Sequence, residues 1–210
     1  MRKRFALIIV GATLALMVLG CNLGNLLRGA GSGGAGSSAD PKEAVVAAAK
    51  KFMDLKYFIA SIDNMAEKQS HSEVKFVAPD KYHIKNDAGE IVMIGRKSWL
   101  KSSSDGKWTS MPDADPATMG GVRDSFKEEM IKAGTDFKSE GEETVGGTPS
   151  YVYSFKSKTV SGGYPFTMKL WVSKATGVPR KSHAEFSNGF LKWADVMYET
   201  DTTVTIDPPQ

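Results

Sequence analysis

Apolar positions run through four stretches of helical or strand period along this chain, and each change marks new elements. Val45, Ala48, Phe52, Leu55 and Ile59 recur at spacings of three and four, the repeat of an amphipathic helix. Asp40-Pro41-Lys42-Glu43 supplies its start, with Asp40 as N-cap, Pro41 at the first helical position and Glu43 closing a capping box. The spacing predicts about four turns, ending near Tyr57, although Tyr57-Phe58-Ile59 equally suits the opening of a strand. From there to Met111 the period falls to two. Val74 and Phe76 alternate with Glu73 and Lys75, and Tyr82 and Ile84 with Lys81, His83 and Lys85. Ile91 to Ile94, Ser98 to Leu100 and Lys107 to Thr109 continue the series, punctuated by Pro79-Asp80, Asn86-Asp87-Ala88-Gly89 and Asp105-Gly106.

Met119, Val122, Phe126 and Met130 then form a second helical stripe, with Arg123, Asp124, Lys127, Glu128 and Lys132 on the other face and Gly134 as its stop. A second run of strands follows. Tyr151, Tyr153 and Phe155 alternate with polar neighbours, and Met168, Leu170 and Val172 alternate with Lys169, Trp171 and Ser173. Arg180 to Phe186, Phe190 to Met197 and Thr203 to Ile206 complete it, with Asn188-Gly189 as a two-residue hairpin signal. Helix, strands, helix, strands is an α+β order. The expected architecture is a single curled antiparallel sheet, an unclosed β-barrel, with the helices packed in its concave face.

Charge alters this picture only at the N-terminus. The 27 basic residues exceed the 24 acidic ones by three, and Arg2, Lys3 and Arg4 account for the whole excess. The sequence pI of about 8.8 therefore belongs to the N-terminal tip, and the near-neutral remainder offers no basic face for nucleic acid. Cys21 is the one cysteine, so no disulfide framework exists and an ordinary core must hold the domain. About 170 residues after Asp40 are ample for one such core.

The basic tip precedes an apolar run from Phe5 to Leu19, shorter than the roughly 20 residues of a spanning helix. Val18-Leu19-Gly20-Cys21 closes it, and the whole resembles a bacterial lipoprotein signal. That resemblance implies a signal peptide over 1–20, a diacylglyceryl group on the Cys21 thiol, and a freed α-amine that can take a further acyl chain such as palmitate. Residues 21–39, rich in Gly, Ser and Ala, bury too little to order and read as a lipidated tether. As a coil, the tether spans roughly 20–25 Å. The implied location is the cell envelope, anchored after export across the inner membrane. This means the outer membrane facing the periplasm where the cell has one, which Asn22 favours, and otherwise the outer face of the cell membrane.

Residues 40–210 carry a second resemblance. Pro79-Asp80-Lys81-Tyr82-His83, Ile94-Gly95 before Trp99, and Gly106-Lys107-Trp108 stand in the first half. Val145-Gly146-Gly147 before Tyr151-Val152-Tyr153, Leu170-Trp171-Val172-Ser173, Thr176-Gly177-Val178-Pro179-Arg180 and Ile206-Asp207-Pro208-Pro209 follow in order. This series is similar to the lipoprotein-localisation fold of LolA, LolB and the LppX/LprG lipoproteins. It implies a half-barrel with an apolar cavity for the acyl chains of a lipid or an acylated protein. An anchored chain on a short tether suits a receiver or holder better than a soluble shuttle.

Candidate ligand contacts are Met93, Trp99, Phe126, Met130, Met168 and Leu170, because flexible methionines and large apolar groups suit a variable lipid. Each equally suits an irregular core, and Trp99, Trp108 and Trp171 equally plug a sheet. Strand parity puts Trp171 opposite Met168, Leu170 and Val172, with Leu170 the inward choice. The three histidines, His71, His83 and His183, form no metal-ligand spacing, and no nucleophile elbow or phosphate loop occurs. Gly31-Ser32-Gly33-Gly34-Ala35-Gly36 matches a dinucleotide fingerprint only in letters, lacking the strand and helix that it needs. No enzyme, metal or cofactor is expected. Two readings stand: an anchored acyl-chain binder, or an envelope interaction or sensor protein using the same fold for a protein partner.

Overall fold

The computed structural model describes residues 40–158, 165–187 and 191–210. Cys21, the signal, the tether and the Asn188-Gly189 turn lie outside the described residues. Helix α1 spans Pro41–Met53, capped as expected: the Asp40 carboxylate accepts from the Lys42 backbone N–H at 2.7 Å, with Pro41 in the first turn. Glu43 in the first turn and Lys50 and Lys51 in the last complement the helix dipole. The helix stops a turn earlier than its stripe suggests. The Lys56 carbonyl accepts from Ala78 N–H at 2.8 Å, and Tyr57-Phe58-Ile59 takes its strand alternative in β1, Tyr57–Met65.

All the strands form one antiparallel sheet: β1, then β2 (Gln69–Val77), β3 (Lys81–Asn86), β4 (Gly89–Ile94), β5 (Lys97–Ser102), β6 (Trp108–Met111), β7 (Thr135–Val145), β8 (Thr148–Lys158), β9 (Pro165–Ser173), β10 (Pro179–Phe186) and β11 (Trp193–Glu199). Their order is β6-β5-β4-β3-β2-β1-β11-β10-β9-β8-β7, so two meanders join where β1 pairs with β11. The end strands β6 and β7 do not pair, which leaves the sheet open.

Three expectations need correction. The second helix is not continuous: the chain makes a 3-10 turn at Pro116–Met119, then α2 (Gly121–Asp124) and α3 (Glu128–Lys132). Gly120-Gly121 weakens its start. Phe126 and Lys127 donate to the carbonyls of Arg123 and Asp124, three residues back, and Lys127 turns to an extended conformation (ψ 137°) before α3 begins. Thr203 to Ile206 forms no strand, yet its alternation is real, since Val204 and Ile206 are buried. Strand β7 was invisible to patterning because it is an edge strand with polar residues on both faces, interrupted by register shifts around Asp136 and Gly141.

One turn glycine is indispensable. Gly89 sits at φ 143°, and a Cβ there would stand 2.1 Å from the Lys101 carbonyl oxygen. Since that neighbour is the backbone of paired strand β5, it cannot swing aside. Gly89→Ala is expected to lose at least about 1–3 kcal/mol from backbone strain alone. A denaturant melt checks this, with Gly106→Ala as comparison: φ is positive there too (65°) but a Cβ meets nothing within 4 Å, so the difference between the two reports the clash with Lys101.

Candidate functional site

Cross-strand register assembles the site. Phe58 opposes Phe76, Phe76 opposes Tyr82, Tyr82 opposes Met93 and Met93 opposes Ser98, so one row crosses β1 to β5 on a single face. Past the β1–β11 seam the same face carries Tyr198, Ser182, Leu170 and Tyr153. Helix α1 buries Val45, Ala48, Ala49 and Phe52 in the core cluster that these residues form. Its alanines allow close approach. The broken segment 116–132 adds Phe126 and Ile131 to the cluster, with Met119 and Val122 partly buried beside it.

The centre is a nest of aromatic rings. Phe52 lies 4.9 Å from Phe58, 4.4 Å from Phe126 and 5.0 Å from Tyr198, while Phe58–Phe76 and Phe76–Tyr82 are each 5.2 Å apart. These are ordinary packing separations. Burial pushes the phenols of Tyr82, Tyr153 and Tyr198 up, so all three stay neutral, and the Tyr198 hydroxyl shares a 2.8 Å hydrogen bond with Ser182 Oγ. Where Met53 and Phe126 meet the surface, an open depression of about 350 Å³ is rimmed by Lys50, Lys127, Glu128 and Glu129.

Of the sequence candidates, Met93, Phe126 and Leu170 fall in this cluster and Met168 packs against it. Met130 is buried on α3 but outside the cluster, because the break before α3 shifts the phase and gives the core position to Ile131. Trp99 is on the opposite face of the sheet. It opposes Val92 and packs with Tyr57, Ile59, Val77, Ile94 and Trp108 beneath Val204 and Ile206 of the C-terminal tail. Arg123, read from the stripe as a solvent-facing residue, instead lies with its guanidinium 5.1 Å from the Phe76 ring centre and donates from Nη2 to the Met53 carbonyl at 2.9 Å. No spacing signal marks it, because its position depends on the helix breaking.

Beyond the Trp99 cluster the outer face carries matched polar pairs. His71 pairs with Asp63 at 2.9 Å, His83 with Glu90 at 3.0 Å and His183 with Asp195 at 2.9 Å. The Glu90 carboxyl is held below its usual range first by its hydrogen bond with His83, then by Lys101. Trp171 donates from Nε1 to Glu143 at 2.7 Å beneath the Lys169 and Lys181 ammonium groups. Among the described residues, no group of three His, Cys, Asp or Glu side chains is placed to hold a metal ion. No described helix is long and apolar enough to cross a membrane.

This geometry defines a class: an open antiparallel sheet closed on one face by a helix and a broken helical segment around an apolar interior. Solved structures share this architecture. LprF from Mycobacterium bovis superposes with a TM-score of 0.61 at 12% identity, covering 80% of this chain and 96% of that one. The Mycobacterium tuberculosis lipoprotein LppX gives 0.58 at 11% identity, covering 79% and 99%. The domain thus has the LppX-like fold expected from the sequence, and at these identities the likeness speaks for the fold alone. No protein-family model and no curated protein matches the sequence.

Proposed function

We propose that this protein is an envelope lipoprotein, tethered through Cys21, that takes acyl chains of a lipid or an acylated protein between its sheet and segment 116–132. In this reading the helix-covered side is the hollow of the curl, and Phe126, Met93, Met168 and Leu170 meet the chain. The observation that carries it is how the apolar surface is divided. Phe52, Phe58, Phe76, Tyr82, Phe126 and Leu170 are gathered inside, while among the described residues the exposed large hydrophobics are Met111 and Met197. The larger of the two apolar clusters thus lies on the helix-covered side, and the smaller one, around Trp99, is covered by the C-terminal tail.

Segment 116–132 is suited to move. Its helical pieces are four and five residues long, too short to be stable alone. Side-chain ties from it or to it include Arg123 to the Met53 carbonyl and Lys42 Nζ to the Lys132 carbonyl at 3.1 Å. Swinging Phe126 outward would open the aromatic nest at the Met53 depression while the sheet stays intact. The fold of the LprF and LppX lipoproteins supports the architecture of this reading.

Lipid extraction tests it. The full-length protein, purified from membranes, should carry about one lipid per chain beyond that bound to the same signal and tether fused to an unrelated domain. An extract no richer than that control would overturn the acyl-chain reading and favour a protein partner.

A further inference from the structure

One polar group inside the apolar region has no account in the packing. Arg123 Nε is buried and makes no hydrogen bond, alone among the buried side-chain nitrogens and oxygens of the described residues. Buried polar groups are nearly always paired, and an unpaired guanidinium nitrogen is costly. The rest of the side chain is held firmly. Nη2 donates to the Met53 carbonyl, and the guanidinium plane sits over Phe76. Among the described residues, no carboxylate forms a salt bridge with Arg123. Asp124, its neighbour in sequence, is 3.2 Å from Lys127 Nζ instead. The orphan donor thus belongs to a cation that no carboxylate pairs with directly, beside Met53, which also lines the surface depression.

Resting on the acyl-chain reading, we propose that Arg123 recognises the anionic oxygen head of the acyl ligand, so that the protein selects acidic lipids, those ending in a carboxylate or phosphate, over neutral ones. A guanidinium offers Nε and an Nη as a parallel pair of donors that matches two oxygens of such a group. The parallel donor on the Nε side is Nη2–H; Nη2 carries two hydrogens and the Met53 carbonyl takes one. Tyr82 adds a neutral hydroxyl close by: it is next to Phe76 in the cross-strand row, burial keeps it protonated, and Arg123 acts on it electrostatically, as do the carboxylates of Asp124 and Asp80 in the opposite sense. Lys50, Lys127, Glu128 and Glu129 on the rim balance one another and give no selection by sign. The chain would lie along Phe126 and the sheet, with its head turned back to Arg123.

The test compares cis-parinaric acid with its methyl ester, identical chains with and without the charge, on the full-length protein in one detergent. Losing one charge-assisted hydrogen-bonded pair is worth about tenfold in affinity or more. Wild type should bind the acid at least about tenfold tighter than the ester. Arg123→Met should bring the ratio to about one while the ester still binds, which also shows that the variant is folded. Arg123→Lys should fall between, keeping charge without the fork. Equal binding of acid and ester by wild type, or a preference that survives in Arg123→Met, overturns the assignment of Arg123 and leaves the acyl-chain reading intact. Binding of neither probe overturns that reading itself. Inorganic phosphate is the control for a free anion: if it displaces the acid at millimolar concentration, the recognised group is the anion and not a lipid head, and the lipid assignment falls.

Discussion

Phe52→Ala should lower the stability of the domain by about 3–5 kcal/mol, the range for truncating a fully buried aromatic side chain. Phe52 is the hinge of the packing. It touches the ring of Phe58 on the sheet, Phe126 on the covering segment and Tyr198 beyond the β1–β11 seam, and it is wholly inaccessible to solvent. Phe58 and Tyr198 cannot fill the space without leaving their places in the sheet. Lys56→Ala, three residues past the end of α1 and exposed, should stay within about ±0.5 kcal/mol. Denaturant melts of the two variants check this. Similar small shifts for both would mean that α1 does not close the core.

The second large effect is on location. Cys21→Ser removes the only thiol in the chain, and with it any site for a thioether-linked lipid. One acyl chain anchors weakly and two or more anchor stably, so the change should move the protein from complete membrane association to an unprocessed or mislocalised precursor. Fractionation, with mass spectrometry of the wild-type N-terminus, decides it. An unmodified Cys21 on the mature protein would contradict the anchor.

Most of the sheet was legible because most strands have one face in the core and one in water. Val74-Phe76, Tyr82-Ile84 and Tyr151-Tyr153-Phe155 alternate for that reason, and the inward choice of Leu170 over Trp171 follows from the same parity. What patterning missed lies where that condition lapses. Strand β7 has no buried face to mark it. Thr203 to Ile206 alternates because it lies on the outer face over Val92, not because it pairs in a ladder. Trp99 fits a pocket by residue type, and only its opposition to Val92 shows that it faces the other way. The Met119–Met130 stripe has a helical period, but Gly120-Gly121 and the extended Lys127 divide it, which moves Ile131 inward and turns Arg123 over Phe76. Side-chain environment on a broken helix depends on the break, and period alone does not reveal it.

The central claim is that an acyl chain enters between the sheet and segment 116–132. Photolabelling tests it most directly: a fatty acid carrying a diazirine midway along its chain is irradiated with the full-length protein, and adducts are mapped by peptide mass spectrometry. The account predicts adducts on the peptides bearing Phe126, Met93, Met168 and Leu170, reduced by excess unlabelled fatty acid. Labelling confined to Trp99, Trp108 and Met197, or labelling that unlabelled fatty acid does not reduce, would contradict it.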